Sequence, residues 1–181
     1  MTGDPHDETG GLDEGESCIS DWNQWGLGRF VTPAFLHVAA TVIGSSRKIR
    51  QKEFGGVNFT ALPADLPSPE GAKAFLDEVV MRFCALDVLV HTVGGLAGGQ
   101  SAADTDDATF QRMLNMNLNS AFHIVCAALP ALRRSGSRRI LAIGGSVAAE
   151  PGAGVGGLQC FKGPFVYAFK DTRFLTGPVG S

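Results

Sequence analysis

The sequence predicts an α/β fold in which a parallel sheet is covered by helices on both faces. Short apolar segments alternate with longer segments whose apolar residues recur at helical spacing, which is the pattern of consecutive βαβ units. Residues 86–93 are almost continuously apolar, as is typical of a parallel strand buried on both faces. Three of the short segments end in glycine or serine, at the strand ends where sheets of this kind bind ligands.

Length and composition predict one globular domain. The chain has 181 residues, of which 44% are hydrophobic and 18% charged, enough for one sizeable core. A net charge of −3 gives no argument for a nucleic-acid partner. The four cysteines are scattered without a C-x-x-C pair, which favours reduced thiols. With no signal-peptide pattern and no apolar run of membrane-spanning length, we predict a cytoplasmic protein without a membrane partner.

Charge and glycine content divide the chain into three parts. Residues 1–28 contain seven acids and no lysine or arginine, and residues 1–17 are predicted to form a disordered acidic tail. Residues 18–165 are predicted to form the α/β domain. Residues 166–181 are predicted to be an irregular C-terminal tail.

The elements of the first half are short. Residues 18–20 indicate a poor stub of a first strand, and residues 30–40 a helix despite Pro33. Residues 40–44, which are rich in β-branched side chains, are predicted to form a strand. A basic helix or loop is predicted over residues 47–52, and a further strand over residues 57–62.

The second half gives clearer patterns. A helix is predicted from Ser68, a capping residue followed by Pro-Glu, to Cys84. The longest helix is predicted over residues 106–134, where Pro130 would kink or end it. Strands are predicted over residues 86–93 and 140–145.

Two other kinds of site are disfavoured. A serine hydrolase would need G-x-S-x-G, whereas Ser146 is followed by Val-Ala and has no evident histidine partner. No metal site is predicted, because the four histidines show no ligand spacing.

In order and spacing, several segments resemble the short-chain dehydrogenase/reductase family between about Gly26 and Lys162. Residues 26–29 are similar to the end of the T-G-x-x-x-G-x-G cofactor loop, and residues 86–94 to the L-D-x-L-V-N-N-A-G segment. Residues 113–118 resemble the helix that carries the family's asparagine, and residues 140–146 the strand that ends in its serine.

This resemblance implies that residues 18–165 form a Rossmann-like, doubly wound domain that binds NAD(P). It also implies hydride transfer between a nicotinamide and a small-molecule carbonyl or alcohol substrate. It implies three catalytic residues: Ser146 to polarise the carbonyl, Asn117 to position a proton-relay water, and Lys162 to lower the pKa of a tyrosine and hold the ribose. The tyrosine itself is absent, because its position, four residues before Lys162, is occupied by Leu158. Leucine has no ionisable group, so the resemblance implies weak or no activity.

The resemblance also implies which residues bind the cofactor. They are Gly26, Gly28, Arg47, Asp65, Gly94 and Lys162. Arg47 follows the second strand, where arginine favours the 2′-phosphate of NADP and an acid would favour NAD. We therefore predict NADP, with NAD less favoured; the alternative is that Arg47 and its basic neighbours form a solvated face.

The same segments depart from the family pattern in three ways. Asp21 and Trp22 stand at the positions of the cofactor loop's threonine and first glycine. The sheet is predicted to be incomplete at its first strand and to lack the family's C-terminal strands. Two functions therefore remain open: a reductase with weak or no activity, and a silent scaffold that binds nucleotide or protein. A homo-oligomer through the helix of residues 106–134 is also open.

Overall fold

The computed structural model describes residues 17–21, 27–95, 102–135 and 139–143. The strands are β1 (Ser17–Asp21), β2 (Thr41–Ser45), β3 (Phe59–Ala61), β4 (Val88–His91) and β5 (Arg139–Ala142). The α-helices are α1 (Gly28–His37), α2 (Pro69–Phe83), α3 (Asp107–Leu114) and α4 (Ser120–Arg134). The strands form one parallel sheet in the order β3-β2-β1-β4-β5. The predicted α/β parallel sheet is confirmed.

The first strand is complete, and its prediction as a poor stub was wrong. All five residues of β1 pair with β2, and Cys18–Asp21 also pair with β4, so β1 is the central strand. Its sequence has one β-branched residue, Ile19. Pairing on both edges decides the conformation here, because strand preference depends more on context than on local composition. Ser17, predicted as the last residue of the tail, begins the strand.

The core lies on both faces of the sheet. On one face, Val42 and Phe59 pack with Phe35 and Leu36 of α1. On the other face, Ile43 and Leu89 pack with α2 and α4 through residues such as Phe75 and Ile124. Adjacent residues of β2 thus enter different clusters, which follows from the alternation of side chains along a strand.

The predicted helices differ from the observed ones mainly at their ends. α1 begins at Gly28, two residues earlier than predicted, and contains Pro33. α2 has the predicted start, since the Ser68 hydroxyl accepts a hydrogen bond from the Gly71 amide at 3.1 Å. Within the basic segment 47–52, a turn at Arg47 and Lys48 leads to a short 3₁₀ helix, Gln51–Glu53.

The predicted long helix has three parts. A π-helix, Asn115–Asn119, joins α3 to α4, and α4 continues through Pro130 to Arg134. π-segments inside α-helices are rare and often occur at functional sites.

The predicted C-terminal tail and the predicted loss of C-terminal strands concern residues after 143, which lie outside the described residues.

None of the helices in residues 17–21, 27–95, 102–135 and 139–143 is long and apolar enough to cross a membrane. In the same part of the chain, no group of three metal-binding side chains comes together.

Candidate functional site at the carboxyl ends of the strands

The last residues of four strands lie side by side. Asp21 of β1 is in register with Ser45 of β2 and with His91 of β4, and His91 is in register with Ala142 of β5. From the central strand β1 the chain proceeds to β2 and β3 on one side, while β4 and β5 lie on the other. This reversal creates a crevice between β1 and β4 at the carboxyl edge, the usual ligand position in such sheets.

The N-terminus of α1 faces this edge. Gly28, predicted to bind cofactor, is the first residue of α1 and is buried. The amides of Phe30 and Val31 donate to the Leu27 carbonyl at 2.9 and 3.0 Å, and Leu27 at the N-cap provides no side-chain hydrogen bond. The preceding amides have no acceptor within the helix, and together with the helix dipole they favour an anion.

The turn after β2 is cationic. Arg47 and Lys48 are exposed in this turn, and the Lys48 amide donates to the Ser46 hydroxyl at 3.3 Å. Arg50 and Lys52 are also exposed a few residues later. The turn therefore presents positive charge beside the carboxyl end of β2.

The backbone of Asp65 is fixed by contacts with the start of α2. Its carbonyl accepts the Ser68 amide at 3.1 Å, and a Cβ on Gly71 would lie only 2.4 Å from that carbonyl oxygen. The residue itself is exposed, while the adjacent Leu66 is buried. The start of α2 therefore fixes the backbone and leaves the Asp65 side chain accessible.

Asn117 braces the segment after β4. Its Oδ1 accepts the Gly95 amide at 3.0 Å, while its Nδ2 donates to the Gly95 carbonyl and to the Met113 carbonyl, each also at 3.0 Å. The side chain is 3% exposed. Both amide hydrogens and the amide oxygen are thus used in binding backbone. Asn117 fixes Gly94 and Gly95 at the end of the β4 strand.

The structure brings together part of the predicted site. Gly28, Arg47, Asp65, Gly94 and Asn117 follow or face the carboxyl ends of strands or the helices that start there. Gly26, Ser146 and Lys162, together with Leu158, lie outside the described residues. The sequence analysis did not predict Ser45 and His91 as site residues, although both are buried at this edge. Each is a polar residue at the end of an otherwise apolar strand, and this pattern could have identified them.

Helix starts near this edge carry acids with altered pKa values. The pKa of Glu70 is lowered, first by a hydrogen bond from its own backbone amide, then by the Ser68 hydroxyl, with a smaller effect of His123. The pKa of Asp106, the N-cap of α3, is lowered by the Thr109 amide at 2.7 Å. On α4, partial burial raises the pKa of the Cys126 thiol.

Residues 25–160 match the family described as short chain dehydrogenase. The match covers more than half of the chain and includes the strands β2 to β5 with the helices between them. The chain belongs to this family.

Relatives with assigned activities are dehydrogenases of small molecules. The chain is 29% identical to the 7α-hydroxysteroid dehydrogenase of Escherichia coli over 145 residues, covering 76% of this chain and 55% of that protein. It is 28% identical to the L-fucose dehydrogenase of Rattus norvegicus over 116 residues, covering 61% of this chain and 42% of that protein. The chain therefore spans about half the length of these relatives.

Solved structures show the same fold at low identity. The ligand-free aldohexose dehydrogenase of Thermoplasma acidophilum superposes with a TM-score of 0.82 at 19% identity, covering 91% of this chain and 63% of that one. An NADH-dependent reductase complexed with NAD gives a TM-score of 0.75 at 22% identity, covering 87% and 74%. ElxO with NADP bound gives 0.78 at 18% identity, covering 85% and 65%.

Proposed function

We propose that this chain binds NADP(H) as a member of the short-chain dehydrogenase family and has weak or no oxidoreductase activity of its own. The observation that carries the proposal is the cationic turn of Arg47 and Lys48, which lies beside β1 and the N-terminus of α1 at the carboxyl edge. It provides positive charge where a phosphorylated nucleotide would lie.

The described residues fit a dinucleotide. The N-terminus of α1 at Gly28 would take the pyrophosphate, and the exposed carboxylate of Asp65 is available to an adenine amino group. Gly94 and Gly95 let backbone approach the cofactor after β4. A Cβ on Gly95 would meet the Met116 Sδ, so a side chain at this position would require the Met116 side chain to move.

The preference for NADP rests on Arg47. A guanidinium can bind the 2′-phosphate through paired hydrogen bonds, whereas an acid at this place would favour the ribose hydroxyls of NAD. One solved relative holds NAD and another holds NADP. Both cofactors are therefore compatible with the fold, and we expect the turn after β2 to favour NADP.

The proposed catalytic residues are incomplete. When bound, the nicotinamide supplies the hydride that is transferred. Ser146 is proposed to polarise the substrate carbonyl and Lys162 to hold the ribose, while Asn117 positions backbone after β4. The proton donor is missing, since Leu158 occupies the position of the family's tyrosine. A carbonyl or alcohol substrate would thus bind without efficient proton transfer.

Titration with NADPH and NADH, followed by nucleotide fluorescence, tests the binding. We expect saturable binding of both, with NADPH tighter. Arg47→Ala should weaken NADPH binding about tenfold and leave NADH binding almost unchanged. Lys52→Ala, which removes a neighbouring charge of the same basic segment, is the control. Absence of saturable binding would overturn the proposal, and equal loss in both variants would make the basic segment a nonspecific surface.

A second candidate function is a scaffold that acts through contacts between copies. A groove of about 800 Å³ lies between the outer faces of α2 and α4, and exposed Met81 and Phe122 line it. The groove lies on these helix surfaces and not at the strand ends. Phe122→Glu should reduce the molecular mass measured by light scattering if copies associate here. Phe30→Glu, on α1 at the other face of the sheet, should not.

A further inference from the structure

The strand β3 lies at the edge of the sheet that the described residues form. In this part of the chain it pairs with β2 alone. The Asn58 carbonyl and the Leu62 amide bind β2, at 2.7 and 3.0 Å. Because the backbone groups of successive residues point to opposite sides of a strand, Phe59 and Ala61 direct their amide and carbonyl groups to the outer edge.

The side chain of Gln51 binds this outer edge. Its Oε1 accepts the Ala61 amide at 2.9 Å, and its Nε2 donates to the Phe59 carbonyl at 2.5 Å. A residue of a neighbouring parallel strand would bind the same two groups, so the carboxamide takes the place of such a residue. The reverse orientation of the amide would face donor with donor and acceptor with acceptor, and the two contacts therefore define its orientation.

Gln51 belongs to the basic segment after β2, residues 47–52. The four cationic residues of this segment are all exposed. Its two other residues contact the sheet, since Gln51 binds β3 and Ile49 is 4% exposed and packs with Val42 and Phe59. Two attachment points within six residues therefore hold the cations beside the carboxyl end of β2.

Apolar contacts support the same attachment. A Cβ on Gly44 would lie 2.7 Å from the Ile49 Cδ1 and 2.8 Å from the Phe59 Cε2, so both side chains would have to move. Ile49 thus packs directly on the backbone of β2 next to the end of that strand. After the basic segment, the Phe54 ring packs edge-on against the Phe59 ring, with centroids 4.9 Å apart. The hydrogen bonds of Gln51 and the apolar contacts therefore converge on Phe59.

We propose that Gln51 is a positioning residue that makes the basic segment selective for the 2′-phosphate of NADP(H). This inference rests on the proposed nucleotide binding. Arg47 lies between the end of β2 and the Gln51 contact, so the backbone that carries it is held on both sides. A cation on a fixed backbone binds a phosphate with a smaller loss of conformational entropy than a cation on a mobile loop. Gln51 has no charge and acts through Arg47.

The Gln51 contact also has a structural effect. A covered edge protects a sheet from pairing with other chains, and two hydrogen bonds to backbone stabilise β3. This effect bears equally on both cofactors, because NAD and NADP differ only in the 2′-phosphate. Selectivity between the two cofactors therefore distinguishes a positioning role from a purely structural one.

The test compares Gln51→Met with the wild type in titrations with NADPH and NADH. Methionine is similar to glutamine in length but cannot replace the two hydrogen bonds of the carboxamide. We expect the affinity for NADPH to fall about fivefold and that for NADH to change by less than about twofold. Gln51→Asn, which is one methylene too short to make both contacts, should give the same result. Val57→Ala, at a fully exposed position before β3, is the control and should bind both nucleotides like the wild type.

A double variant tests whether Gln51 acts through Arg47. In the Arg47→Ala background, Gln51→Met should cause almost no further loss of NADPH affinity, because the group that it positions is gone. An undiminished loss in that background would overturn the inference. Equal losses for NADPH and NADH, or no loss of NADPH affinity in either Gln51 variant, would also overturn it.

Tryptic cleavage at the cations of the basic segment gives a readout without nucleotide. We expect Gln51→Met to be cleaved there about tenfold faster than the wild type under native conditions, and Val57→Ala to be cleaved at the wild-type rate. Unchanged cleavage would overturn the inference, because the segment would then not be held by Gln51. A wild type that binds neither nucleotide would refute the proposed function and the selectivity with it. A wild-type preference for NADPH that Gln51→Met retains would refute the role of Gln51 alone.

Discussion

The Asn117 side chain binds both backbone polar groups of Gly95, a residue 22 positions earlier in the chain. Its Oδ1 accepts from the Gly95 amide and its Nδ2 donates to the Gly95 carbonyl, each at 3.0 Å. These bonds extend the pairing of β4 beyond its last strand residue by means of a side chain from the π-helix. The carboxyl edge of the sheet and the helix that covers it are therefore fixed to each other at this point.

Replacing Asn117 by alanine should destabilise the protein. Three hydrogen bonds disappear, and the part-buried amide and carbonyl of Gly95 lose the contacts that Asn117 provides. We expect the free energy of unfolding to fall by about 2–4 kcal/mol, measured by urea denaturation. Asn115→Ala, at an exposed position of the same π-helix, should change it by less than about 0.5 kcal/mol. Similar losses in both variants would contradict the role assigned to the Asn117–Gly95 contact.

Much of the fold could be predicted because its signals are local. The apolar period over residues 106–134 indicates one long helical region, and Ser68 predicts the start of α2 through its capping chemistry. The π-helix in the middle of that region could not be predicted, because its asparagine binds a distant segment. Asn117 itself was identified by resemblance, and its contacts came only from the structure.

The first strand could not be predicted from its local sequence. Residues 17–21 have weak strand preference by themselves, and the strand forms because β2 and β4 pair with both of its edges. The same long-range pairing puts Asp21 in register with His91. The sequence alone does not reveal that these two positions are neighbours. Arg47 was different, since its position directly after β2 is readable from the chain.

Gly71 should not tolerate a side chain, although it lies in a helix. Alanine normally favours helix over glycine by about 1 kcal/mol, but its Cβ would lie 2.4 Å from the Asp65 carbonyl oxygen. Because backbone must then move, we expect Gly71→Ala to lower the free energy of unfolding by about 1–3 kcal/mol in urea denaturation. Gly55→Ala, with no atom within 4 Å of the new Cβ, should be neutral or slightly stabilising. A stabilising Gly71→Ala would show that the close contact with Asp65 is not maintained.

The cap of α3 should contribute to stability in a pH-dependent way. The pKa of Asp106 is lowered by hydrogen bonds from Thr109, so its contribution is complete above the ordinary carboxyl pKa of about 4 and is lost as pH falls through the lowered value. Asp106→Asn retains a capping side chain without this titration, and Asp106→Ala removes the cap. Unfolding midpoints measured from pH 6 to pH 2 should place the wild type at or above Asp106→Asn at pH 6 and closer to Asp106→Ala at pH 2. A constant difference between the wild type and Asp106→Asn would contradict the assignment.

The missing tyrosine should leave the protein without measurable turnover. Leu158 cannot donate a proton to a carbonyl oxygen, and general acid catalysis typically contributes about 10²–10⁴-fold to the rate. We expect no consumption of NADPH above the rate without enzyme when generic ketones or diketones are supplied, followed by loss of nicotinamide absorbance. Lys162→Ala separates the outcomes, since a rate that depends on Lys162 must arise at the proposed site. A clear wild-type rate that Lys162→Ala abolishes would show that another group supplies the proton. The protein would then be an active reductase and not a catalytically silent member of the family.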